Sequence, residues 1–327
     1  DSVHSSGRTF CESGEGRKAV MEDLLNGYFL QVLTFVCINI ILAMTIYMTL
    51  CTGILSLGNA GLMSFGAYTS AILTAQYHVP MPVGIFLGGV MAVLVALVIG
   101  LPTIRLRGLY LAIATLGFGE VVRVIALNLE ITHGALGYSG IPSMGSVLSD
   151  YASDWGLLDA LEIDSQTGGQ LLVCLVLLVL TVLIISFWYR LEHSRIGRAW
   201  AAVTADEYAA SLTGINVVEY KMMAFLFSAF FAGVAGALYA HATFFISPND
   251  FSWNKVVDIL VYTVFGGSNV LWGSILGATV LAWFVFGGLL ADRWLGMRKA
   301  VVFGGILFKP EQTMRSKIYL ATAVISV

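Results

Sequence analysis

The amino-acid sequence predicts an all-α polytopic membrane protein with about eight to nine transmembrane helices, some of them broken or re-entrant. Hydrophobic residues make up 58% of its 327 residues and charged residues only 11%, which gives a mean hydropathy of +0.85. Soluble globular domains carry about a quarter charged residues, so this composition excludes that class. The 35 glycines agree with a helical membrane bundle, because small residues let membrane helices approach closely.

Apolar runs long enough to cross a bilayer, where about 20 residues are needed, follow one another along the chain. The predicted spans lie near residues 27–53, 55–77, 81–102, 108–128, 169–189, 222–246, 256–267 and 270–291, with a weaker ninth near 294–308. They divide the chain into a polar N-terminal segment (1–26), a transmembrane domain (27–308) and a C-terminal tail (309–327).

Two regions are expected to hold broken helices. The run 55–77 is interrupted by Gly58, Gly61 and Gly66, and polar residues alternate with these glycines. The last two spans are divided by the sequence Gly-Gly-Ser-Asn at 266–269, and the first of them is short for a crossing. Irregular backbone at membrane depth is tolerated where it lines a cavity or is buried in protein.

Charges in the loops predict how the chain is oriented. The segment 129–168 contains six acidic residues and no Lys or Arg, whereas the turn 103–107 and the connector, residues 190–221, carry basic residues. The positive-inside rule places the turn and the connector in the cytoplasm and 129–168 outside. One span separates each of these loops from the next, so the three assignments agree. The side of the N-terminus stays open, because basic residues also occur in 1–26.

Motifs of soluble enzymes are absent from the sequence. It has no Gly-x-x-x-x-Gly-Lys-Ser/Thr phosphate loop, no His, Cys or carboxylate group at metal-ligand spacing, and no serine in a nucleophile elbow. We therefore expect no catalytic residue, no metal and no cofactor. The net charge of −3 gives no reason to expect a nucleic-acid partner.

The glycine-rich segment after the first span is the first candidate for a substrate pathway. Ser56, Asn59 and Ser64 offer hydrogen-bonding groups at membrane depth, and Gly58 and Gly61 expose backbone between them. A helix break of this kind suits a zwitterionic solute, because helix ends present N–H groups to a carboxylate. A packing face between helices needs the same small residues, and the pattern leaves both interpretations open.

The fourth span contributes Thr115 and Glu120 as further pathway candidates. An ionisable residue inside a span is a functional candidate by default, so Glu120 also supports an alternative function, an ion-coupled secondary transporter with this carboxyl as the proton site. Arg123 lies three residues further on, on the same helical face, and we favour a structural ion pair between the two. His241 and Asp258 lie near outer boundaries and are expected to be interfacial.

The connector is predicted to contain a short helix at about 205–213. Thr204 and Glu207 have the spacing of a capping box, and Gly214 is a natural C-terminal stop. Asp206 and Glu207 fall in the first turn, where the helix dipole favours negative charge. Because its small residues make a poor membrane anchor, we expect this helix to dock a soluble protein.

Four ordered blocks of the sequence resemble the permease subunits of branched-chain amino acid ABC transporters, the LivM/LivH family. The blocks are Leu55–Tyr68, Leu106–Arg123, Gly197–Tyr239 and Phe265–Ala278, with a shorter match at Ser139–Pro142. Four blocks in order are far more specific than any one of them. The resemblance implies an all-helical membrane subunit of the ABC importer permease type, without an ATPase site of its own.

The resemblance also implies a function, partners and a coupling surface. The subunit would carry branched-chain amino acids or related small zwitterionic solutes across the cytoplasmic (inner) membrane of a bacterium or archaeon, driven by ATP hydrolysis in separate cytoplasmic ATPase subunits. Within the lipid bilayer it would meet a second permease subunit, and through its outer loop a periplasmic substrate-binding protein. The residues assigned to ATPase coupling are Arg198, Asp206, Glu207, Ala209, Ala210 and Gly214.

Overall fold

The computed structural model describes residues 29–104, 106, 108–154, 165–267 and 270–294. The sequence-based predictions for 1–26, for the ninth span and for 309–327 therefore lie outside the described residues. The α-helices within these ranges are α1 (Phe29–Leu50), α2 (Asn59–Ala75), α3 (Met81–Thr103), α4 (Leu109–Asn128), α5 (Met144–Asp154), α6 (Ser165–Glu192), α7 (Arg195–Ala205), α8 (Glu207–Leu212), α9 (Val217–Thr243), α10 (Trp253–Gly266) and α11 (Leu271–Trp294).

Five of these helices are long and apolar enough to cross a membrane: within the described residues they are α1, α3, α4, α9 and the part of α6 from Gly168 onward. The all-α polytopic fold is thereby confirmed, while the number of eight to nine spans stays a prediction. In the most apolar stretch of each helix, 72% of the α1 residues are buried, against 33% in α3, α4 and α6. α1 is therefore the central helix, and the other three turn most of their surface outward.

The helices run between two ends of the bundle. We call the end that carries α7 and α8 the connector end, and the end that carries residues 129–154 and 244–252 the loop end. α1 runs toward the connector end, because the carbonyl oxygen of Cys51, just past its last turn, lies 2.6 Å from the Thr204 hydroxyl of α7. α3 also ends there, since a Cβ on Gly100 would lie 3.0 Å from the Met222 sulfur near the start of α9. The turn after α3 and the connector therefore lie at the same end of the bundle, as the loop charges predict.

Direct backbone contact joins α2, α3 and α9. A Cβ atom placed on Gly66 of α2 would collide with the backbone of Gly233 in α9, and one on Gly88 of α3 would lie 2.7 Å from the Gly66 carbonyl oxygen. Only glycine permits this approach. The prediction that Gly61 and Gly66 interrupt the run 55–77 is wrong, because α2 continues through both of them. The irregular backbone lies earlier, in the residues between α1 and α2.

α10 and α11 form a tight antiparallel hairpin at the predicted break. A Cβ on Gly266 would collide with Gly273, and one on Gly277 would collide with the Tyr262 carbonyl, so the two helices pass each other in opposite directions. Gly267 ends α10 with a φ of +108°, a conformation that favours glycine. The break between the last two predicted spans is confirmed, and the hairpin geometry agrees with a re-entrant pair.

Helix ends differ from the predicted spans mainly at the connector end. α1 stops at Leu50, three residues before the predicted limit, and α9 begins at Val217, five residues before it. The side chain of Asn216 caps α9 by accepting a hydrogen bond from the Glu219 N–H at 3.5 Å. The charges of the connector marked its boundaries in the sequence, yet charged residues are tolerated in a helix that extends beyond the apolar layer. Most of the connector is consequently helical.

Candidate functional site

The connector holds two helices where one was predicted. Ser194 caps α7, its hydroxyl accepting from the backbone N–H groups of Ile196 at 3.1 Å and Gly197 at 3.5 Å. The indole N–H of Trp200 donates to the Tyr220 carbonyl oxygen at 3.0 Å. Because Trp200 is buried, this bond fixes α7 against the first turn of α9.

Asp206 separates the two helices and begins the second. Its side chain accepts from the backbone N–H groups of Tyr208 at 2.8 Å and Ala209 at 3.2 Å, the geometry of an N-cap. The predicted capping box of Thr204 with Glu207 is therefore wrong. Thr204 belongs to the last turn of α7, where its hydroxyl lies 2.6 Å from the Cys51 carbonyl oxygen and 3.0 Å from that of Trp200. An aspartate nearer to the helix took the capping role.

Glu207 and Gly214 hold α8 at its two ends. The Glu207 carboxylate forms an ion pair with the Lys221 ammonium of α9. Gly214 has a φ of +84°, and the next residue, Ile215, donates its N–H to the Ala210 carbonyl at 3.2 Å, which confirms the predicted C-terminal stop. Ala210 is buried under the helix. These coupling candidates therefore position α8 within the protein.

The outward face of α8 is apolar, which the sequence-based reasoning missed. Tyr208 is 69% exposed and Leu212 is 88% exposed. They are four residues apart and therefore share one face of the helix. That i, i+4 spacing of two large residues within an otherwise small-residue helix was the available signal. Ala209, Asp206 and the candidate Arg198 on α7 are also exposed.

A shallow, open depression lies beside this face. It has a volume of about 420 Å³ and is lined by Gly53 and residues 203–208. Gly53 belongs to the chain between α1 and α2 and adopts a φ of +71°. The connector helices and the α1–α2 junction thus share one surface.

The predicted pathway residues gather behind this junction. Ser56, Asn59, Ser64 and Thr115 are each at least 98% buried. The Asn59 amide donates to the Thr45 hydroxyl of α1 at 2.9 Å, yet its Oδ1 has no partner among the described residues. The Ser56 hydroxyl is likewise without a partner in the described part of the chain. Buried polar atoms of this kind cost about 1–3 kcal/mol each, which makes them candidates for contact with a polar solute.

The glycines of the same segment take the alternative role, helix packing. A Cβ on Gly58 would lie 3.2 Å from the Thr115 carbonyl oxygen, and one on Gly61 would lie 3.0 Å from the Cα of Gly119. The Thr115 hydroxyl accepts from the Leu57 N–H at 3.0 Å and so anchors the chain before α2 to α4. The segment therefore combines a glycine packing face with unpaired serine and asparagine groups.

Glu120 lies in an ion pair with Arg123, as the helical spacing favours. The Nε of Arg123 donates to the Oε1 of Glu120 at 2.8 Å, and a further guanidinium nitrogen of Arg123 donates to the Asn249 Oδ1 at 3.0 Å. This ties α4 to the chain between α9 and α10. Glu120 is thus near the loop end, away from Ser56 and Asn59.

His241 is fully buried, so the expectation that it is interfacial is wrong. Its Nδ1 lies 3.0 Å from the Pro142 carbonyl and its Nε2 3.0 Å from the Ser70 hydroxyl. Because a carbonyl only accepts, Nδ1 carries the proton and the serine donates to Nε2. Next to it, Tyr138–Ser139 pairs in antiparallel fashion with Phe245–Ile246. Asp258, by contrast, is partly exposed.

The described residues contain no group of three or more His, Cys, Asp or Glu side chains that could hold a metal ion. At the connector end, burial raises the pKa of the Cys51 thiol to about 11. A thiol with this pKa stays protonated at neutral pH and is a poor nucleophile.

Comparisons with known proteins find two groups of permeases. The family model of the permease component of the branched-chain amino acid transport system matches residues 28–309. The high-affinity branched-chain amino acid transport system permease protein LivM of Escherichia coli (strain K12) is 38% identical over 241 residues, covering 70% of this chain and 56% of that protein. LivM of Salmonella typhimurium is 36% identical over the same extent.

The second group is more distant. The ribose import permease protein RbsC of Escherichia coli (strain K12) is 26% identical over 117 residues, which are 34% of this chain and 36% of RbsC. The chain spans about half the length of the LivM proteins that it matches. No solved structure matches it.

Proposed function

The chain belongs to the family of branched-chain amino acid transport system permease components, and we propose that it is the membrane-spanning permease subunit of an ATP-driven importer. Its solutes are branched-chain amino acids or related small zwitterions. ATP hydrolysis takes place in separate cytoplasmic subunits, and a second permease subunit and a periplasmic binding protein complete the transporter. It acts in the cytoplasmic membrane of a bacterium or archaeon.

The observation that carries this proposal is the exposed apolar face of α8. Tyr208 and Leu212 stand out from a six-residue helix whose cap, ion pair and glycine stop all hold it firmly on the bundle. A membrane-surface helix would show a longer apolar face and basic residues beside it. α8 instead begins with Asp206 and Glu207. A rigid, short helix with two apolar anchors suits a groove in a protein partner.

A mechanical route leads from α8 into the bundle. Thr204, three residues before the start of α8, binds the Cys51 carbonyl at the end of α1. From Cys51 the chain passes Gly53 and Ser56 to the start of α2, where Asn59 binds back to α1. A displacement of α8 by an ATPase therefore acts directly on the α1–α2 junction. This is the coupling that alternating access requires, because a switch needs a packed element that both sites can bias.

The test is capture of the ATPase subunits by the permease in detergent, with Leu212→Asp as the variant. A buried carboxylate in a protein groove is unfavourable, so we expect at least about a tenfold weaker association. Leu136→Asp is the matched control, because Leu136 is 85% exposed and lies at the loop end. It should leave capture unchanged.

Capture by Leu212→Asp at the wild-type level would reject α8 as the docking surface. The alternative, an ion-coupled secondary transporter that uses Glu120, is tested in proteoliposomes that contain the permease alone. Leucine uptake driven by a proton gradient without any ATPase would reject the importer. The ion pair of Glu120 with Arg123 supports the importer, because this carboxylate already has a partner within its own helix.

A further inference from the structure

A cluster of charged and aromatic side chains lies where α10 begins beside α1 and α9, remote from the coupling surface. Lys255 is at its centre, with a largely buried side chain. Its Nζ lies 3.3 Å from the Asn39 Oδ1 of α1 and 5.8 Å from the centre of the Tyr239 ring of α9. Burying an ammonium group is costly unless an anion pairs with it. Neither an amide oxygen nor an aromatic ring supplies that anion.

Two carboxylates lie near Lys255 without closing on it. The charges of Asp250, just before α10, and Asp258, three residues further along the helix, both act on the Lys255 ammonium. Neither has an oxygen within 4.0 Å of Nζ, and the ion pairs of the described residues do not include Lys255. The cluster therefore keeps one positive and two negative groups separate. Because the groups are partly desolvated, their electrostatic interaction with an approaching charge is stronger than it would be in water.

Asp250 is held by the backbone. Its Oδ2 accepts a hydrogen bond from the Ser247 N–H at 2.8 Å, within a capping box that begins the turn Pro248–Phe251. Burial raises the pKa of this carboxyl, while the Ser247 N–H and the Lys255 charge lower it in part. A cation that reached Asp250 would offset part of the free-energy cost of desolvating its carboxylate. The carboxylate is thus fixed in direction and short of positive charge.

Tyr68 of α2 gives an independent indication of a ligand. The residue is 94% buried, and its hydroxyl has no hydrogen-bond partner among the described residues. Its ring lies 6.0 Å from that of Phe251, the neighbour of Asp250, and the charge of Asp250 acts on its hydroxyl. Buried tyrosine hydroxyls normally find a partner. A buried hydroxyl without a partner near the charge of Asp250 indicates a polar solute.

We propose that Lys255, Asp250 and Asp258, together with Asn39 and Tyr68, form a binding site for an α-amino acid zwitterion at the loop end. The Lys255 ammonium and the Tyr68 hydroxyl take the solute carboxylate, and the two aspartates take its ammonium group. A simple anion or cation would satisfy only one of the two signs, whereas a zwitterion satisfies both. The site rests on the proposed function, and it gives the imported solute a first contact in the permease.

α1 connects this site with the buried groups nearer the connector end. It carries Asn39 beside Lys255 and, six residues later, Thr45, whose hydroxyl binds Asn59. α10 is fixed to the same helix, because the Thr263 hydroxyl lies 3.1 Å from the Ala43 carbonyl oxygen. A shift of α1 would therefore act on the charged site and on Asn59 together.

The test is direct ligand binding to the assembled transporter in lipid nanodiscs, without the periplasmic binding protein. The probes are L-leucine, L-leucinamide, which lacks the carboxylate, and 4-methylpentanoate, which lacks the ammonium group. We expect wild type to bind leucine at least about tenfold more tightly than either analogue, the effect of one charge-assisted contact. Lys255→Met should abolish the preference over leucinamide, and Asp250→Asn with Asp258→Asn the preference over 4-methylpentanoate.

Two variants separate a binding role from a structural one. Lys255→Arg keeps the charge and should keep most of the preference for leucine over leucinamide. Glu130→Gln removes an exposed carboxylate at the same end of the bundle and should leave all three affinities unchanged. Equal binding of leucine and its analogues by wild type, or an unaltered preference in Lys255→Met, overturns the site.

Uptake distinguishes this failure from failure of the proposed function. ATP-driven leucine uptake is measured with the same preparations in proteoliposomes after addition of the periplasmic binding protein. Uptake by wild type, combined with binding preferences that no variant alters, rejects the charged site and leaves the importer standing. Absence of wild-type uptake rejects the importer itself.

Discussion

Two lysines, one toward each end of the bundle, have opposite surroundings. Lys221, at the connector end, is 8% exposed and is paired with Glu207. Lys255, toward the loop end, has an amide oxygen and an aromatic ring nearby, and its two closest aspartates stay beyond 4.0 Å. The charge of Lys221 is neutralised by a carboxylate of the chain, whereas Lys255 forms no ion pair with the described residues.

The difference assigns a distinct kind of recognition to each end. At the connector end Lys221 and Glu207 pair with each other and hold α8 in place, and the large exposed side chains of that helix are Tyr208 and Leu212. Toward the loop end the charges themselves are available, and a small charged solute can complete them. Removing one member of a paired charge destabilises the fold, whereas a desolvated charge without a partner lowers stability and can serve binding.

The largest predicted effect concerns the bundle that joins the two ends. Gly66→Ala would push α2, which carries both Asn59 and Tyr68, away from Gly233 of α9. Because the added methyl group would collide with the backbone of Gly233 and not with a flexible side chain, we expect a loss of about 3 kcal/mol or more. Thermal unfolding in detergent, followed by tryptophan fluorescence, should show a much lower midpoint, and leucine binding should disappear with it.

Gly117→Ala is the control for this change. Gly117 lies in the middle of α4, where an added Cβ meets no described atom within 4 Å. The substitution should be neutral or slightly stabilising, by up to about 1 kcal/mol, because alanine favours the helix. Similar midpoints for the two variants would mean that the ends are not held by the glycine contacts.

The next prediction compares the effect of removing each lysine on stability. Lys221→Met leaves Glu207 unpaired and should lower stability by about 1–2 kcal/mol, less than for a fully buried pair because the glutamate side chain is 39% exposed. Lys255→Met removes a largely buried ammonium that has no carboxylate partner within 4.0 Å among the described residues. In the absence of ligand its unfolding midpoint should equal or exceed that of wild type.

The double variant Lys221→Met, Glu207→Gln tests the physical reason. Replacing both members of a buried pair costs much less than removing one, so most of the lost stability should return. Lys255 has no ion-pair partner among the described residues whose replacement could restore stability in the same way. A clear loss of stability in Lys255→Met would show that its charge is satisfied within the chain and that the two lysines do not differ in this respect.

The fold class and the order of the helices were predictable because apolar length and loop charge are local properties. The position of the irregular backbone in the run 55–77 was not predictable. Gly61 and Gly66 suggested an interruption of the helix, yet they face Gly119 and Gly233, which come from distant parts of the chain. A glycine that bends a helix and a glycine that packs it look alike until its neighbour is known.

The candidate sites were predictable to different degrees for the same reason. The connector helix and its glycine stop follow from nearby residues, although Asp206 replaced Thr204 as its cap. Lys255 drew no attention in the sequence, because its importance depends on Asn39, which is 216 residues away. The buried state of His241 equally depends on Ser70 and Pro142.

The smallest predicted effect tests whether the two ends communicate. Thr204→Val keeps the side-chain shape but removes the hydroxyl that binds the Cys51 carbonyl at the α1–α2 junction. Loss of one such bond is worth about 1 kcal/mol, so assembly with the ATPase subunits should persist. We expect the ATPase rate to depend less on leucine-loaded binding protein, by about threefold to tenfold.

Thr103→Val is the matched control, because within the part of the chain that the structure describes the Thr103 hydroxyl binds only carbonyl oxygens of its own helix, the nearest at 2.8 Å. It removes the same group near the same end of the bundle without touching the junction. Stimulation of the ATPase by leucine-loaded binding protein should then stay at the wild-type level. If Thr204→Val and Thr103→Val behave alike, the path from α8 to the solute does not run through Cys51, and the two ends must be linked by the packing of α9 against α2 and α3.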